Sequence, residues 1–589
     1  MPKDQGPRPR VASLADRPSA EVLIVGGGIN GIATLRELAL LGVDAALVER
    51  SDFVSGASAA SSHMVHGGIR YLENGEFRLV REAVQERNRL IVNAPHFVKP
   101  LETTIPIFST FSGILAAPVR LLVTHGRGKP RERGALLIKI GLVIYDTFSR
   151  AGGRVPRHRF HGREKSLRQL PRLNRNLKYT ATYFDASMHD PERLALDVLA
   201  DGLAAGSTAK HGPETVSSEQ TARAANYVSL VGFEHGCALL RDEESGEEFA
   251  FEAKVVVNAT GQWTDLTNAA LGQPTRYMGG TKGSHIVLDH PELHDATAGR
   301  EIFFEHSDGR IVLIYPLAGR VMVGTTDIDA DPNEPPVCTD AEVDYFFGLV
   351  KHVFPSIEVT REHIVYTFSG VRPLPRHDDT LPGFVSRDYR IEPGRLGEVR
   401  TLSLVGGKWT TFRALAEHLA NETLALLGWS PARIARRAQT RTTPIGGAVG
   451  YPTGKAARRL WIARHAAGHD SAVVDRLLTR YGTKAAEVIA ALPKRPRALQ
   501  HAPDYFAQEL AYLARNEDVL HLDDLLLRRT SLAFRGGLTR EGLGEIATAV
   551  ARPLGWDAAR QAAEVARAEE LLRALHRVSL DGPGLAPLD

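Results

Sequence analysis

The strongest constraint on the fold of this chain is the run of residues 22–31, which reads Val-Leu-Ile-Val-Gly-Gly-Gly-Ile-Asn-Gly. Its four apolar residues, three of them β-branched, predict a buried strand, and the glycines predict a tight turn into a helix. The turn has the spacing G-x-G-x-x-G, which lets the backbone approach a pyrophosphate at the amino end of that helix. The residues predicted to line it are Gly26, Gly28, Asn30 and Gly31.

An acidic residue follows where a nucleotide-binding unit requires one. A second apolar strand over residues 45–48 ends in Glu49. That carboxylate is placed to accept hydrogen bonds from an adenosine ribose. Strand, glycine turn, helix and acid in this order predict a βαβ unit that binds a dinucleotide, either NAD or FAD.

The segment after Glu49 bears on that choice. Residues 55–62 are all Ser, Gly or Ala, and such a run permits close contact with the phosphates and ring of a cofactor. The alternative is a flexible loop. Because the run leads directly into a His, Gly, Arg and Tyr cluster, we interpret it as the lining of a cofactor and active site. The residues assigned here to cofactor binding are Ser58, Ser62 and His63.

Two later turns carry the same signature of a strand followed by small residues. One is Thr260-Gly261, after the run 255–257, and the other is Gly406-Gly407-Lys408, after the run 402–405. If the strands share one sheet, the three glycine turns converge on the cofactor. A helix beginning after Gly407 would then direct its positive end, with Lys408, at the negative charge of a reduced flavin. The alternative is that Lys408 only covers the end of the sheet.

Three arginines, Arg70, Arg372 and Arg387, are candidates for binding an anionic substrate. The guanidinium fork binds phosphate through two hydrogen bonds, so the three would select a phosphate if the fold brings them together. Any one of them alone is more often part of a surface ion pair.

His66, His285 and Tyr71 are the candidates for proton abstraction. His66 stands between the serine run and a double glycine, which is an unusual place for a structural histidine. His63 and His66 are three residues apart, but no third ligand is close in sequence, so no metal site is predicted.

Composition excludes several classes of protein. The net charge is only +3 over 589 residues, which gives no argument for nucleic-acid binding. Two cysteines, Cys237 and Cys338, without a C-x-x-C pattern indicate a reducing compartment and no disulfide framework. No signal peptide and no transmembrane helix are predicted, so the expected location is cytoplasmic. The apolar residues 135–148 behind the basic loop 127–133 indicate either a peripheral membrane contact or a core helix.

The pattern along the chain predicts an α/β protein with a Rossmann-like dinucleotide-binding domain, which the family resemblance given below implies to be an FAD-binding domain of the glutathione-reductase type. Alternating apolar segments between residues 301 and 325 predict an antiparallel sheet that caps the substrate side. Ala-, Leu- and Arg-rich segments near the C-terminus predict an all-α domain. The expected division is a disordered extension over 1–19, discontinuous FAD-binding and cap domains over 20–443, and a helical domain over 444–589.

Taken in order, several motifs resemble those of FAD-dependent glycerol-3-phosphate dehydrogenases, a family of DAO-type flavoprotein oxidoreductases. The resemblance runs from about residue 20 into the C-terminal domain. The matching segments are residues 26–31, 66–72, 76–83, 282–285, 323–327, 369–374, 406–408 and 523–530.

The resemblance implies non-covalent FAD and oxidation of sn-glycerol 3-phosphate to dihydroxyacetone phosphate. Electrons would then pass to a membrane quinone, or to oxygen in oxidase relatives. Arg70, Arg372, Arg387 and Lys408 match the cations of the family's active site. The substrate- and flavin-adjacent positions match Tyr71, His66 and His285. The identity of the base among His66, His285 and Arg372 is left open, as is a homodimer.

Four positions depart from the family pattern: Ala60, His63, Gln262 and Trp409. They leave room for a different small anionic alcohol. A second hypothesis is a sister flavin oxidase of an amine or amino acid that uses oxygen, since the same cofactor fold serves those reactions. A third is a flavin-bearing structural or regulatory protein without catalysis, although such a scaffold has no need of the arginine set.

Overall fold

The computed structural model describes residues 8–69, 76–110, 134–149, 155–208, 220–305, 311–376, 388–436 and 440–588. The strands are β1 Ser19–Val25, β2 Ala45–Glu49, β3 Met64–Val65, β4 Val98–Ile107, β5 Arg159–Gly162, β6 Tyr179–Met188, β7 Ala222–Asn226, β8 Val228–Glu234, β9 Cys237–Asp242, β10 Glu248–Asn258, β11 Met278–Leu288, β12 Glu301–Glu305, β13 Ile311–Leu317, β14 Arg320–Gly324, β15 Ile328–Asp329, β16 Ile364–Pro375, β17 Arg390–Leu396 and β18 Val399–Val405.

The α-helices lie between these strands and, after β18, make up most of the remaining chain. They are Pro9–Ala15, Ile29–Ala39, Phe77–Asn93, Ala135–Ser149, Arg163–Gln169, Pro191–Thr208, Thr264–Ala270, Pro291–Ala296, Asp340–Val353, Phe412–Leu426, Pro431–Ala435, Lys455–His465, Ser471–Tyr481, Ala485–Ala491, Ala507–Asn516, Leu522–Asp524, Leu532–Arg535, Arg540–Leu554 and Ala558–His576. A π-helical turn, Leu525–Arg529, joins two of them.

The first sheet has the order β17-β18-β10-β1-β2-β7, and β1, β2, β7, β10 and β18 run parallel. Val22, Leu23 and Ile24 of β1 are fully buried, as the apolar run predicts. Because β1, β10 and β18 are parallel neighbours, the turns that follow them meet at the same edge of the sheet. The predicted convergence of the three glycine turns is therefore confirmed.

The second sheet covers that edge. Its order is β15-β11-β14-β13-β12-β4-β6-β3, with β16 paired to β11 and β5 to β6. The pairing is antiparallel, as predicted, except that β12 runs parallel to β4. We call this sheet the cap. One of its faces carries both His285 of β11 and Asp185 of β6.

The helices after residue 455 pack on the cap and share a core with it. Tyr366 and Phe368 of β16 and Met322 of β14 lie in the same apolar cluster as Leu477, Leu510 and Leu543. The fold class predicted from the sequence, an α/β FAD-binding domain with an antiparallel cap and a helical C-terminal region, is confirmed.

The N-terminal stretch differs from the expectation of disorder over residues 1–19. The helix Pro9–Ala15 buries Val11 and Leu14 against the first sheet. Arg10 also pairs with Asp518 of the C-terminal region at 2.8 Å. Composition did not reveal this helix because its partners lie hundreds of residues away in the chain.

No helix in the described part of the chain is long and apolar enough to cross a lipid bilayer.

A buried ionic cluster joins the first sheet to the C-terminal region. Asp52, three residues after β2, accepts hydrogen bonds from Arg528 and from Arg529, whose Nη2 lies 2.9 Å from Asp52 Oδ1. Burial alone would raise the pKa of Asp52, but the two guanidinium groups hold it well below its ordinary value. Arg528 also donates to Asp524 at 2.7 Å. The segment that follows Glu49 is thus anchored from the far end of the chain.

His521 makes the stability of this junction depend on pH. Its Nδ1 lies 2.9 Å from Glu564 and its Nε2 lies 3.1 Å from Glu244. Burial lowers the pKa of His521, but the two carboxylates outweigh that effect and raise the pKa to about 9. In the unfolded chain the pKa is about 6.5. The stabilisation is therefore complete below about pH 6.5 and is lost as the pH rises through about 9.

We expect the free energy of unfolding to fall by about 2 kcal/mol between pH 6.5 and 9 on account of this group. A His521→Gln variant should lose that part of the dependence. Urea unfolding midpoints at several pH values measure both curves. Parallel curves for the wild type and the variant would contradict the assignment.

Candidate active site

The glycine turn after β1 is packed so closely that its glycines have no room for a side chain. A Cβ on Gly31 would lie 2.0 Å from the carbonyl oxygen of Gly26. A Cβ on Gly26 would lie 2.7 Å from the carbonyl oxygen of Ala259, and Gly26 has a φ of +112°. The turns after β1 and β10 are therefore in direct backbone contact, and the amino end of helix Ile29–Ala39 faces the open edge.

Replacing Gly31 with alanine should disrupt this edge. Overpacking of this kind costs about 1–3 kcal/mol, and it displaces the backbone that approaches the cofactor phosphates. We expect a lower melting temperature and at least about tenfold weaker retention of flavin, measured by fluorescence after dilution.

The control for this change is Gly348→Ala in helix Asp340–Val353, where a Cβ meets no heavy atom within 4 Å. That variant should be neutral or slightly stabilised, since alanine is the better helix former. Equal behaviour of the two variants would refute the packing argument.

Glu49 stands at the end of β2 with its carboxylate held by the backbone. Gly27 N donates to its Oε2 at 2.7 Å and Ser51 N donates to its Oε1 at 3.0 Å. Burial raises the pKa of Glu49, although both backbone bonds act in the opposite direction. Each oxygen keeps a free acceptor position for a ribose hydroxyl.

The serine run lies beside the helix amino end. Ser58 Oγ accepts a hydrogen bond from Ile29 N at 3.1 Å and lies 3.2 Å from where a Cβ on Gly28 would be. Trp409 Nε1 donates to the carbonyl oxygen of Ser58 at 2.9 Å. The departure at position 409 thus has a structural role, because this indole ties the third glycine turn to the serine run.

The third glycine turn, Gly406-Gly407-Lys408, lies beside the first one at the same edge of the sheet. A Cβ on Gly407 would lie 2.8 Å from Asn30 Nδ2, and Gly407 has a φ of +128°. Lys408 follows, and Thr410 Oγ1 donates to the carbonyl oxygen of His66 at 3.3 Å. After a single 3-10 turn, Trp409–Thr411, helix Phe412–Leu426 begins at this edge of the sheet. That its positive end and Lys408 face a cofactor stays a prediction.

His285 lies on the inner face of the cap. Its Nε2 is 2.8 Å from Ser62 Oγ, and its ring stacks on Phe368 with centroids 4.5 Å apart. A Cβ on Gly324 would lie 2.1 Å from the ring, so that glycine makes the space it occupies. Burial and the charge of Arg372 hold the pKa of His285 well below its ordinary value, so the ring is neutral at neutral pH.

Arg372 reaches the same region from β16. Its guanidinium donates to Thr325 Oγ1 at 2.9 Å and to the carbonyl oxygen of Thr326 at 3.1 Å, and it pairs with Asp327 at 3.1 Å. A Cβ on Gly283 would lie 2.0 Å from that guanidinium. These contacts fix the fork, so its orientation is set before any ligand arrives.

Sequence reasoning missed Glu342, whose carboxylate holds side chains of β11 and of the segment after β14. Its carboxylate accepts hydrogen bonds from Lys282 Nζ at 2.9 Å, Ser284 Oγ at 2.8 Å and Thr326 Oγ1 at 2.7 Å. The available signal was the capping box Thr339-x-x-Glu342, which marks a helix start and gives no hint of contact with residues 282–284.

Other predicted residues are distributed as follows. Thr260 and Gly261 lie at the edge, and a Cβ on Gly261 would lie 3.9 Å from Pro373 of β16. The His63 ring packs near Phe368 and Phe534, and burial lowers its pKa to about 4. Its cofactor contact stays a prediction. Arg70, Tyr71 and Arg387 lie outside the described residues, so the convergence of the three arginines is not described.

The residues at this edge fit FAD. The helix amino end is open, glycines remove the side chains that would block a pyrophosphate, and Glu49 offers acceptors for a ribose. Asn30 Oδ1 is also buried without a hydrogen-bond partner among the described residues.

Comparison with known proteins identifies the family. The family described as FAD dependent oxidoreductase matches residues 21–422, and the C-terminal domain of alpha-glycerophosphate oxidase matches residues 438–561. A glycerol-3-phosphate dehydrogenase from Synechocystis sp. is 32% identical over 87% of this chain and 89% of its own. A D-erythritol 1-phosphate dehydrogenase from Brucella abortus is 30% identical over 88% of this chain and 95% of its own.

Among solved structures, the glycerol-3-phosphate dehydrogenase from Bacillus halodurans complexed with FAD superposes with a TM-score of 0.69. It is 22% identical, and the match covers 96% of each chain, so it confirms the fold. The family match extends over more than half of the chain, and the relatives cover nearly all of it. The chain therefore belongs to the FAD-dependent oxidoreductases and, among them, to the glycerol-3-phosphate dehydrogenase family.

Proposed function

We propose that this enzyme oxidises sn-glycerol 3-phosphate to dihydroxyacetone phosphate. The observation that carries the proposal is the placement of a fixed cation, Arg372, beside a neutral histidine, His285, on the cap face that covers the cofactor edge. A phosphorylated alcohol needs a partner for its phosphate and a group that takes the hydroxyl proton, and these two residues supply them.

Binding of the phosphate is the role proposed for Arg372, with Arg70 and Arg387 as further candidates from the sequence. Thr325, Thr326 and Asp327 hold the Arg372 fork in one orientation, so little side-chain freedom is lost when a phosphate binds.

Proton removal is the role proposed for His285, while His66 stays an alternative. A neutral imidazole is the form that accepts a proton. A phosphate dianion beside Arg372 offsets the positive charge that lowers the pKa of His285, so substrate binding itself makes the ring a better base. Ser62 keeps the ring oriented through Nε2. FAD, when bound, supplies the hydride acceptor at its N5.

Lys408 and the amino end of helix Phe412–Leu426 place positive charge at the same edge. Their proposed role is to stabilise the negative charge that a bound flavin would carry after reduction. His285 is only 1% exposed, so its ring lies away from bulk water.

The decisive experiment is anaerobic mixing of the purified flavoprotein with sn-glycerol 3-phosphate. We expect the visible flavin absorbance to bleach in a saturable manner. Glycerol and a small secondary amine serve as negative controls, and D-erythritol 1-phosphate tests the alternative polyol phosphate. Bleaching by the amine alone would favour an amine oxidase, and no bleaching by any phosphorylated polyol would refute the proposal.

Removing the guanidinium group of Arg372 should lower kcat/KM for sn-glycerol 3-phosphate. Hydrogen bonds to a charged group contribute about 1.5–3 kcal/mol, so Arg372→Met should lower kcat/KM by about 10- to 150-fold. The control is Arg390→Met, since that side chain is half-exposed on β17. Unchanged kcat/KM in the first variant would assign the phosphate to other residues.

A quinone is the proposed electron acceptor, in line with the family resemblance. Stopped-flow reoxidation of the bleached enzyme by a soluble quinone and by air distinguishes a dehydrogenase from an oxidase. Faster reoxidation by air would assign the chain to the oxidases.

Contact with a membrane surface is proposed for helix Ala135–Ser149. Its side chains Leu136, Ile140 and Val143 are 44%, 51% and 50% exposed and lie on one face. Co-sedimentation with anionic vesicles tests this, with Ile140→Glu as the variant and Leu460→Glu on another helix as the control. Equal sedimentation of both variants would refute a contact through this face.

A further inference from the structure

The backbone of Gly67, next to His66, is held by side chains from two other elements, which a side chain from a third element ties together. Gly67 N donates to Tyr145 Oη at 3.1 Å and to Asp185 Oδ1 at 3.0 Å. Tyr145 belongs to helix Ala135–Ser149, and Asp185 belongs to β6. The third residue, Arg87 of helix Phe77–Asn93, donates to Tyr145 Oη at 2.9 Å and to Asp185 at 3.0 Å.

These three side chains form a closed, buried cluster. Tyr145 Oη donates to Asp185 Oδ1, so one carboxylate oxygen receives the phenol, the guanidinium and the backbone N–H. Arg87 is completely buried, and Tyr145 and Asp185 are each 1% exposed. Burying an ion pair brings little net stability, because desolvation offsets the attraction. A role in fixing geometry accounts for the cluster better than a role in stability.

Gly67 packs closely against the cluster of Arg87, Tyr145 and Asp185. A Cβ on Gly67 would lie 2.2 Å from Tyr145 Oη and 2.5 Å from Val84. On the other side of His66, the preceding residues Met64 and Val65 pair with β6. His66 is thus fixed on both sides.

We propose that Arg87, Tyr145 and Asp185 are positioning residues that hold the His66-Gly67 backbone against the substrate side of the site. The inference rests on the proposed function, since the loop carries residues assigned there to substrate. None of the three side chains takes part in the proposed proton or hydride transfer. They act on the reaction only by placing this backbone.

Tyr145→Phe tests the proposal, because it removes the hydroxyl and keeps the ring. We expect kcat/KM for glycerol 3-phosphate to fall about 5- to 30-fold. The loss should lie mainly in kcat, since misplaced groups slow the chemical step more than they weaken phosphate binding. The flavin content and visible spectrum should match the wild type.

The control is Tyr481→Phe, which removes an almost equally buried hydroxyl from helix Ser471–Tyr481, where it donates to the buried carboxylate of Glu509 at 2.6 Å. Amide hydrogen exchange of the peptide that contains residues 64–69 should accelerate in the Tyr145 variant and not in the control. Gly67→Ala, which disturbs the same contact from the loop side, should reproduce the kinetic loss if Tyr145→Phe folds poorly.

Exchange needs no substrate, so it separates this inference from the proposed function. A wild type that does not oxidise glycerol 3-phosphate would refute the function, and the exchange data would still decide the positioning role. If Tyr145→Phe kept the wild-type exchange rate and kcat, or if Tyr481→Phe showed the same effects, the positioning role would be overturned.

Discussion

Replacing His285 with alanine should slow single-turnover reduction of the bound flavin by glycerol 3-phosphate about 10²- to 10⁴-fold, the usual contribution of a positioned general base. The ring sits between Ser62 and Phe368, with its Nδ1 free of hydrogen-bond partners among the described residues. Ser62 therefore orients the ring through Nε2, and no other described residue competes for Nδ1. Stopped-flow absorbance under anaerobic conditions measures the rate.

A matched control is His294→Ala, since that side chain is 39% exposed on helix Pro291–Ala296 and lies outside the site. It should reduce its flavin at the wild-type rate. Full-speed reduction in His285→Ala would remove His285 from the role of base and leave His66 as the next residue to test. His285→Asn, which retains a hydrogen-bonding side chain, distinguishes loss of the base from loss of packing.

Replacing Arg529 with methionine should destabilise the protein by about 3–5 kcal/mol, the typical cost of leaving one member of a buried ion pair uncompensated. Among the residues that the structure describes, Asp52 would keep Arg528 alone as a charged partner, and its side chain has no exposure to solvent. The damage should reach the cofactor edge, because Phe53, the next residue, packs against Gly27 of the glycine turn. Urea unfolding and flavin release on dilution measure the two effects.

Arg540→Met is the control for this change. Arg540 pairs with Glu569 and Asp581 in the same region, but its side chain is 53% exposed, and exposed ion pairs contribute little to stability. A double variant, Asp52→Asn with Arg529→Met, should recover part of the loss, because a buried carboxylate that has lost one of its two guanidinium partners is then replaced by a neutral amide. Equal stability of Arg529→Met and Arg540→Met would show that the buried cluster is not a structural link.

Local patterns were sufficient to predict the nucleotide edge. Each of the three glycine turns, and Glu49, comes at the end of a strand of the first sheet. Because these strands are parallel, the segments that follow them meet at one edge of the sheet, wherever the other elements lie. The antiparallel cap also follows from alternation within its own strands.

Contacts between distant residues could not be predicted in this way. Arg529 and Asp52 are 477 residues apart, and Tyr145 and Gly67 are 78 apart. Neither pair leaves a periodic signal, because each depends on how whole elements dock. The parallel pairing of β12 with β4 and the burial of Val11 in the N-terminal helix have the same origin.

The shared core of the cap and the C-terminal helices has a practical implication for cutting this chain into pieces. Helices that come more than a hundred residues later in the chain bury the side chains of Met322, Tyr366 and Phe368. A fragment ending near residue 440 would expose these apolar side chains to water on the same face of the cap that carries His285, whose ring stacks on Phe368. Anyone wishing to isolate a minimal catalytic unit has to keep the tail or redesign that surface with polar residues.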